Sequence, residues 1–156
     1  VVEKSFVLGF PDNRLDAIPL LEIVQALENV IAEIDPSIIY THHIGDLNVD
    51  HRVAHQATVT ALRPMPCCGP KEVYAYEVLS ATEWNTPGVN PFIPNVFINI
   101  STTIEKKLDA LEAYSSEMRS PPHSRSILNS KRIAELRGNT VGVEFAEAFM
   151  LIRMVK

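Results

Sequence analysis

The segment from residue 38 to residue 62 limits the possible folds most strongly, because a strand pattern passes through a polar loop into a helix pattern. Ile38 to Thr41 is a run of β-branched and aromatic residues, which predicts a short buried strand. Small or apolar residues then recur at helical spacing: Ala54, Ala57, Thr58, Ala61 and Leu62. The loop between them carries histidines and carboxylates. Ligands of open α/β sheets bind beyond the carboxyl ends of the strands, so this loop is predicted to hold the functional site.

The rest of the chain repeats the alternation of strand and helix patterns. Further strands are predicted at 5–8, 73–79, 96–100 and 143–155. Helices are predicted after Asp16, which we expect to be an N-cap, and after Ser101 or Thr102, with Glu105 completing a capping box. A last helix is expected from about 127 to Gly138. This order predicts an α/β fold, a single domain of βαβ units with a largely parallel sheet.

The first helix has its own apolar stripe, which is expected to face the core. The stripe steps by four and three residues and consists of Leu20, Val24, Leu27, Ile31 and Ile34. Pro19 is expected in the first turn, where a missing N–H is tolerated, and Asp35-Pro36 is expected to end the helix.

Composition narrows the class of function. The 156 residues suffice for one domain, and a net charge of −5 argues against binding to a nucleic-acid backbone. No apolar run reaches the roughly 20 residues of a membrane span, and no secretory signal begins the chain. Cys67 and Cys68 are adjacent and are interpreted as reduced thiols of a cytoplasmic protein, the alternative being a vicinal redox pair.

His51 is the strongest candidate for chemistry. It stands at the expected start of a helix, beside Asp50 and after a loop rich in oxygen ligands. A neutral imidazole is a good zinc ligand, and a carboxylate commonly orients it through the other ring nitrogen. The competing interpretation is a histidine that only covers the first helical turn, with Asp50 as the N-cap.

Other imidazoles near this position are weaker candidates. His55 follows His51 by four residues and could share a metal with it, although Arg52 replaces the Glu of the metalloprotease pattern. Ala54 and Ala57 flank His55, so a packed or surface histidine is favoured. His42 and His43 end the predicted strand, and one of them is expected to point into the crevice. The sequence does not distinguish which.

Several polar residues have both a functional and a structural interpretation. Asp46 and Asn48 could orient a ligand, bind sugar hydroxyls or build the turn, and the turn is favoured for each alone. Asp12 follows a predicted strand, so a parallel sheet would place it on the same rim as His51. The default for the isolated residues is the surface or a structural hydrogen bond; these are His123, Arg125 and Glu147.

The sequence lacks some familiar active-site patterns. It contains no glycine-rich phosphate loop and no Gly-x-Ser-x-Gly elbow, and its basic residues do not cluster with aromatic ones. These absences argue against nucleotide-binding, hydrolase-triad and nucleic-acid-binding functions.

Four stretches, in the same order, resemble the PIG-L/LmbE-like N-acetylglucosaminyl deacetylases. The second motif of that family resembles the segment Ile39-Tyr40-Thr41-His42-His43 followed by Gly45-Asp46-Leu47-Asn48-Val49-Asp50-His51-Arg52. The other three are Leu8 to Leu15, with a Gly-Phe-Pro-Asp turn; Pro94 to Ile100 with Lys106-Lys107-Leu108; and Arg137-Gly138 with Val143 to Phe149. The resemblance spans nearly the whole chain.

The resemblance implies a Rossmann-like three-layer α/β fold and zinc-dependent removal of an acetyl group from an amino sugar. It implies that His51 is a zinc ligand, that Asp50 supports the site and that Asp12 lies on the substrate rim. Zinc lowers the pKa of its bound water to about 7 and polarises an amide carbonyl, which suits this reaction. A nearby acid must then protonate the departing amine. We assign His43 and Glu147 to substrate binding with Asp12, and Asn48 and His42 to catalysis with Asp50.

The chain departs from the family pattern in two ways. The first motif of the family, Ala-His-Pro-Asp-Asp-Glu, supplies the other two protein zinc ligands and the general base, and it is absent here. In the family, the second motif has the form His-x-Asp-His, and its first histidine, a proposed acid or oxyanion stabiliser, aligns with Asn48. Either the Asn48 amide, His42 or His43 takes this role, or the transition state is less stabilised. The chain is therefore expected to be an inactive C-terminal portion with an incomplete zinc site.

Two further expectations follow from an incomplete domain. Uncovered apolar sheet surface predicts self-association, so a homo-oligomer is expected. The alternative function is a non-catalytic carbohydrate-binding or interaction domain that keeps the scaffold without the metal. The expected partner in either case is a small amino-sugar molecule rather than a nucleic acid.

Overall fold

A computed structural model describes residues 2–65 and 69–156 of the chain. Four helices and a four-stranded sheet make up its regular structure. The helices are α1 (Leu20–Ile34), α2 (Val49–Ala61), α3 (Ile104–Glu112) and α4 (Ile127–Thr140). The strands are β1 (Ile38–His42), β2 (Glu72–Tyr76), β3 (Val96–Asn99) and β4 (Ala146–Met154). The interpretation of Cys67 and Cys68 falls outside the described residues. The α/β fold class is confirmed.

The direction of strand pairing corrects the expectation of a largely parallel sheet. The strand order is β1-β2-β4-β3, and β1 pairs with β2 in parallel. β4 pairs antiparallel with both of its neighbours, so Phe149 lies opposite Tyr76 on one side and Val96 on the other. β1, β2 and β3 consequently run in the same direction, and only β4 is reversed.

The connection into β4 accounts for the reversal. A strand that is followed by one helix returns to its starting end and continues in parallel. β3 is instead followed by two helices, α3 and α4, which pack on each other. The second helical pass brings the chain back to the end where β3 finished, and β4 starts there. The carboxyl ends of β1–β3 and the amino end of β4 therefore meet at one rim of the sheet.

The start of the first helix differs from the prediction. Residues Leu15–Ala17 form a separate 3-10 turn, and Pro19 occupies the N-cap of α1, so Asp16 is not the cap. The stripe is only partly buried: Val24 is 2% exposed, whereas Leu20 and Ile34 at the two ends are 38% and 45% exposed. The helix ends at Asp35, which adopts a left-handed conformation.

The caps of the later helices also correct the sequence interpretation. Asn48, not Asp50, caps α2, because its side chain accepts the backbone N–H of Asp50 at 2.8 Å. α3 begins after Thr103 with no side-chain cap, so the predicted capping box is wrong. α4 is capped by the hydroxyl of Ser126, which accepts from the N–H of Asn129.

Two predictions about strands are wrong for the same physical reason. Residues 5–8 form no strand, and Val7 is 94% exposed. β1 exists, but it is not buried, since Ile38 and Tyr40 are 44% and 48% exposed. Within the described residues β1 pairs on one side only, and 5–8 has no strand partner. A β-branched run acquires strand structure and burial from its neighbours rather than from its own propensity.

Two apolar clusters hold the helices in place. Ile23, Val24 and Ala57 join α1 to α2. The second cluster joins α3 and α4 to the residue before β4 and consists of Ile104, Leu108, Ala134 and Phe145. Every helix in the described part of the chain is too short or too polar to cross a lipid bilayer.

Candidate active site at the carboxyl ends of the strands

His51 lies in the first turn of α2 and lines an open groove of about 860 Å³ at the rim of the sheet. Asp12 and Asn48 line the same groove, as do Trp84 and Arg125 from later loops. The His51 side chain is 21% exposed, so it is accessible from the groove and is not buried in the apolar interior. The structure thus brings together three of the predicted site residues: Asp12, Asn48 and His51.

A buried carboxylate faces the imidazole from behind. Oδ2 of Asp46 lies 3.1 Å from Nδ1 of His51, and the Asp46 side chain is fully buried. Nδ1 is itself buried and has no well-aligned hydrogen bond within the described residues, so Asp46 is its polar neighbour. This arrangement directs Nε2 of His51 away from Asp46. A carboxylate behind one ring nitrogen is the usual partner of a metal-binding histidine.

Asp46 is held by groups from two loops. Its oxygens accept the backbone N–H of Asn48 at 2.8 Å and the hydroxyl of Thr82 at 2.9 Å. Burial alone would raise the pKa of Asp46, but the adjacent His51 ring and the hydrogen bonds from Asn48 and Thr82 outweigh it and lower the pKa. Asp46 is therefore a fixed anion behind His51.

His42 packs flat against His51. The two ring centroids are 4.1 Å apart at an interplanar angle of 23°, and the Nε2 of His42 lies 3.2 Å from the hydroxyl of Tyr76. Burial, followed by repulsion from His51, lowers the pKa of His42 to about 4. His42 is thus a neutral imidazole at physiological pH, adjacent to the candidate metal ligand.

His43 and His55 do not line the groove. His43 is 2% exposed, and its Nε2 lies 2.7 Å from the carbonyl oxygen of Asn90. Nδ1 of His55 lies 2.8 Å from the carbonyl oxygen of His42, and burial lowers the pKa of His55. The structure therefore distinguishes the paired histidines: His42 faces His51, and His43 packs under the loop at residues 85–92. The assignment of His43 to substrate binding has no support from this geometry.

Asp50 connects the start of α2 to the Asp12 loop. Its two carboxylate oxygens accept the backbone N–H groups of Asn13 at 2.6 Å and Leu15 at 2.9 Å. The carboxylate at position 50 therefore faces the loop rather than the His51 ring. The Asn48 side-chain oxygen caps α2, which leaves its amide N–H₂ as the group able to face a ligand.

Glu147 lies outside this groove. Its carboxylate accepts from the Lys107 ammonium at 2.6 Å and lines a second cavity between α3, α4 and the sheet. Its assignment to substrate binding stays a prediction, and its place is beside the groove rather than in it.

Three residues that build the site received no role in it from the sequence. Thr82 holds Asp46, Tyr76 meets His42, and Arg52 donates to the backbone carbonyls of Asp46 at 2.9 Å and Leu47 at 2.5 Å. Asp46 itself was interpreted mainly as a turn residue. Arg52 alone offered a signal in the sequence, since it lies in the first turn of α2 and close to the loop before it.

Zinc requires a donor set that the described residues supply only in part. Within 2–65 and 69–156 there is no group of three or more His, Cys, Asp or Glu side chains that could hold a metal ion. Catalytic zinc takes about three protein ligands. The geometry of His51 fits one of them, and the described part of the chain does not complete the set.

Sequence comparison supports the resemblance over the N-terminal part of the chain. Residues 1–62 match the model of the PIG-L family, described as GlcNAc-PI de-N-acetylase. The matched range includes Asp12, Asp46, Asp50 and His51. The resemblance noted from the motifs is thereby confirmed for this part. No curated protein matches the sequence.

The fold is shared with several solved structures. Conserved protein TT1542 from Thermus thermophilus is 25% identical, with a TM-score of 0.73 over 96% of this chain and 65% of that one. N,N'-diacetylchitobiose deacetylase from Pyrococcus horikoshii is 17% identical, with a TM-score of 0.74 over 97% of this chain and 58% of that one. The 4-carboxy-2-hydroxymuconate hydratase GalB from Pseudomonas putida is 21% identical, with a TM-score of 0.63 over 87% and 61%.

These similarities concern the fold, because they include both a deacetylase and a hydratase. The chain spans 58–65% of the length of these solved structures.

Proposed function

We propose, from the match of residues 1–62 to the PIG-L family, that this chain is part of a zinc-dependent hydrolase acting on an N-acetylglucosamine-type amino sugar or its conjugate. The reaction is removal of the N-acetyl group by hydrolysis of a linear amide. The single structural observation that supports the proposal is the pair of Asp46 and His51, whose 3.1 Å separation engages one imidazole nitrogen and leaves the other for a metal.

In this proposal each residue of the chain has a role that its contacts can support. His51 is one of the zinc ligands, through Nε2, and Asp46 is a positioning residue that fixes the ring. Asp50 holds the loop that carries Asp12 against the start of α2. Asp12 is exposed on the groove and is available to sugar hydroxyls.

The departing amine and the developing oxyanion need polar partners in the same groove. Asn48 lines the groove, and His42 stacks on the His51 ring without lining it; these two are the candidates, as the sequence suggested. His42 is neutral and its Nε2 lies 3.2 Å from the Tyr76 hydroxyl, so it is better suited to forming a hydrogen bond than to carrying a charge. Asn48 presents an uncharged donor. The remaining zinc ligands and the general base are proposed to come from outside the described residues.

An alternative function is a non-catalytic carbohydrate-binding domain on the same scaffold. The specific observation in its favour is that residues 2–65 and 69–156 contain no three-ligand metal cluster. A protein of this kind would bind amino sugars in the groove and release no amine.

The test uses the intact protein. Release of amine from a panel of N-acetyl sugars is measured with metal present, after chelation and after zinc is restored. We expect chelator-sensitive release that zinc restores and that His51→Gln abolishes, whereas His123→Gln, a histidine elsewhere in the chain, retains it. Sugar binding without chelator-sensitive release across the panel would establish the alternative instead.

A further inference from the structure

A second cavity adjoins the His51 groove. It has a volume of about 340 Å³, within the usual range for small-molecule sites, and lies between α3, α4 and the rim of the sheet. Val78, Glu117 and Arg125 line both the cavity and the groove. A molecule whose reacting group lies beside His51 could therefore extend into the cavity without leaving the rim.

The cations of the cavity wall are all engaged by carboxylates. Two nitrogens of Arg137 donate to the two oxygens of Glu77 at 2.9 and 2.7 Å. The other two pairs are Lys107 with Glu147 at 2.6 Å and Arg125 with Glu117 at 3.0 Å. Three cations thus face three anions among the described residues of the wall.

This charge balance selects against anionic ligands. A phosphate or nucleotide is bound by cations and N–H groups that are free to approach it, and the carboxylates here already neutralise the cations. A phosphate entering the cavity would have to displace a carboxylate from its cation, and the displaced carboxylate would then repel it at close range. The cavity is therefore suited to a ligand without net charge.

The rest of the wall suits a ring with apolar faces and a polar edge. Leu111, Ile133 and Ala134 supply aliphatic surface, and Tyr76 and Tyr114 supply aromatic rings with hydroxyl groups. Carboxylates held by ion pairs keep free acceptor positions for ligand hydroxyls. Tyr76 also touches His42, which stacks on His51, so the cavity and the candidate metal ligand are connected through two side chains.

We propose that this cavity is a subsite for a second, neutral sugar residue attached to the amino sugar. The preferred substrate is then a neutral glycoside or oligosaccharide rather than a sugar phosphate or a nucleotide sugar. This inference rests on the proposed deacetylase function for the substrate class, but the binding of a neutral sugar in the cavity can be measured without any reaction.

The experiment is a titration of the intact protein, labelled at its methyl groups, with cellobiose in the presence of a chelator. Cellobiose is a neutral disaccharide with no amide to hydrolyse. We expect saturable shifts of the Leu111 and Ile133 methyl resonances, and weaker or no shifts with glucose 1-phosphate at equal concentration. Shifts that are absent, or stronger with the phosphate, would overturn the proposal.

Two variants and a matched control locate the binding. Glu147→Gln is expected to weaken cellobiose binding about tenfold, because a charged acceptor is lost from the wall. Tyr114→Ala should also weaken it, and since Tyr114 is 66% exposed its removal leaves the fold intact. Glu105→Gln breaks an ion pair between α3 and α4, with Lys131 at 3.2 Å and outside the cavity, and should change nothing. Equal effects of the Glu147 and Glu105 variants would contradict the subsite.

Kinetics on the same protein separate the two proposals. Cellobiose binding without amine release from any N-acetyl sugar would contradict the deacetylase function and support a sugar-binding cavity. The opposite result is amine release with equal kcat/KM for N-acetylglucosamine and its neutral disaccharide, together with no methyl shifts. It would contradict the subsite and support the deacetylase function.

Discussion

Asp46 lies directly behind His51 in the candidate site, with its fully buried carboxylate 3.1 Å from Nδ1 of a histidine that opens onto the groove. The two residues are five positions apart and lie on opposite sides of the Asn48 cap. The start of α2 therefore sets their relative position. A cap, a buried anion and an imidazole act here as one unit.

The first prediction concerns this unit. Asp46→Asn keeps the size of the side chain but removes the charge behind His51. We expect zinc affinity of the intact protein to fall about 10- to 100-fold, as for other changes behind a metal-binding histidine. Competition with a chromophoric chelator measures the affinity.

The matched control for Asp46 is Asp109→Asn. Asp109 lies on the exposed face of α3, away from the groove, so the same chemical change there should leave zinc affinity unaltered. An Asp46 variant with unchanged affinity would show that the carboxylate does not position the imidazole.

The second prediction concerns Asp50, which accepts two backbone N–H groups from the Asp12 loop. Asp50→Ala leaves both donors without a partner, so we expect unfolding free energy to fall by about 1–3 kcal/mol. Hydrogen exchange of the Asn13 and Leu15 amides should accelerate more than exchange in α3. Asp50→Asn, which retains one acceptor oxygen, should lose less, and uniform acceleration across the chain would contradict a local role.

The strand–loop–helix segment at 38–62 could be predicted from the sequence because its patterns are local. β1, α2 and the placement of His51 at the rim follow from hydrophobic spacing and from the direction of βαβ units. Asp12 was expected there because of a strand at 5–8 that does not form, and its loop is instead held at the rim by Asp50. The reversal of β4 could not be read in this way, since strand direction depends on how α3 and α4 pack, which is a property of tertiary structure.

Gly45 shows why parts of the site escaped prediction. The sequence suggested a glycine needed for a turn, but the structure gives a different reason. A Cβ at this position would lie 2.0 Å from the carbonyl oxygen of Asn90 and 2.7 Å from Nε2 of His43. Glycine is required here because the loop at Asn90, which is 45 residues later in the sequence, passes close to the backbone of Gly45. In the same way, Asp46 received a local turn role because its partner Thr82 is distant in sequence.

The third prediction concerns pH. Burial lowers the pKa of His42 to about 4 and also lowers that of His55, whereas the unfolded rings have the ordinary value of 6.5. The unfolded chain therefore binds more protons over this interval, and stability rises with pH through it. The stabilisation is complete above pH 6.5 and is lost as the pH falls toward 4.

Thermal unfolding of the metal-free protein measures this effect. We expect Tm to decrease steadily between pH 7 and pH 5, and the decrease to be smaller in His55→Gln, which has no titrating ring. Stability that is constant or higher at pH 5 would show that these imidazoles are not held neutral by burial.

The fourth prediction concerns Gly138, which the sequence placed near the end of the last helix. The helix continues to Thr140, and Gly138 is buried inside its final turn. A Cβ there would lie 2.7 Å from the carbonyl oxygens of both Val143 and Glu144. Helix propensity alone favours Gly138→Ala by about 1 kcal/mol, whereas forcing a methyl group into a packed site costs about 1–3 kcal/mol.

Because the crowding atoms are backbone oxygens rather than flexible side chains, the cost should exceed the gain. We expect Gly138→Ala to lower the unfolding free energy by about 1–2 kcal/mol in chemical denaturation. Asn139→Ala, at the exposed neighbouring position, should be neutral or slightly stabilising, as helix propensity requires. If Gly138→Ala stabilised the chain as much as Asn139→Ala, the close approach of α4 to the segment that leads into β4 would be absent in solution.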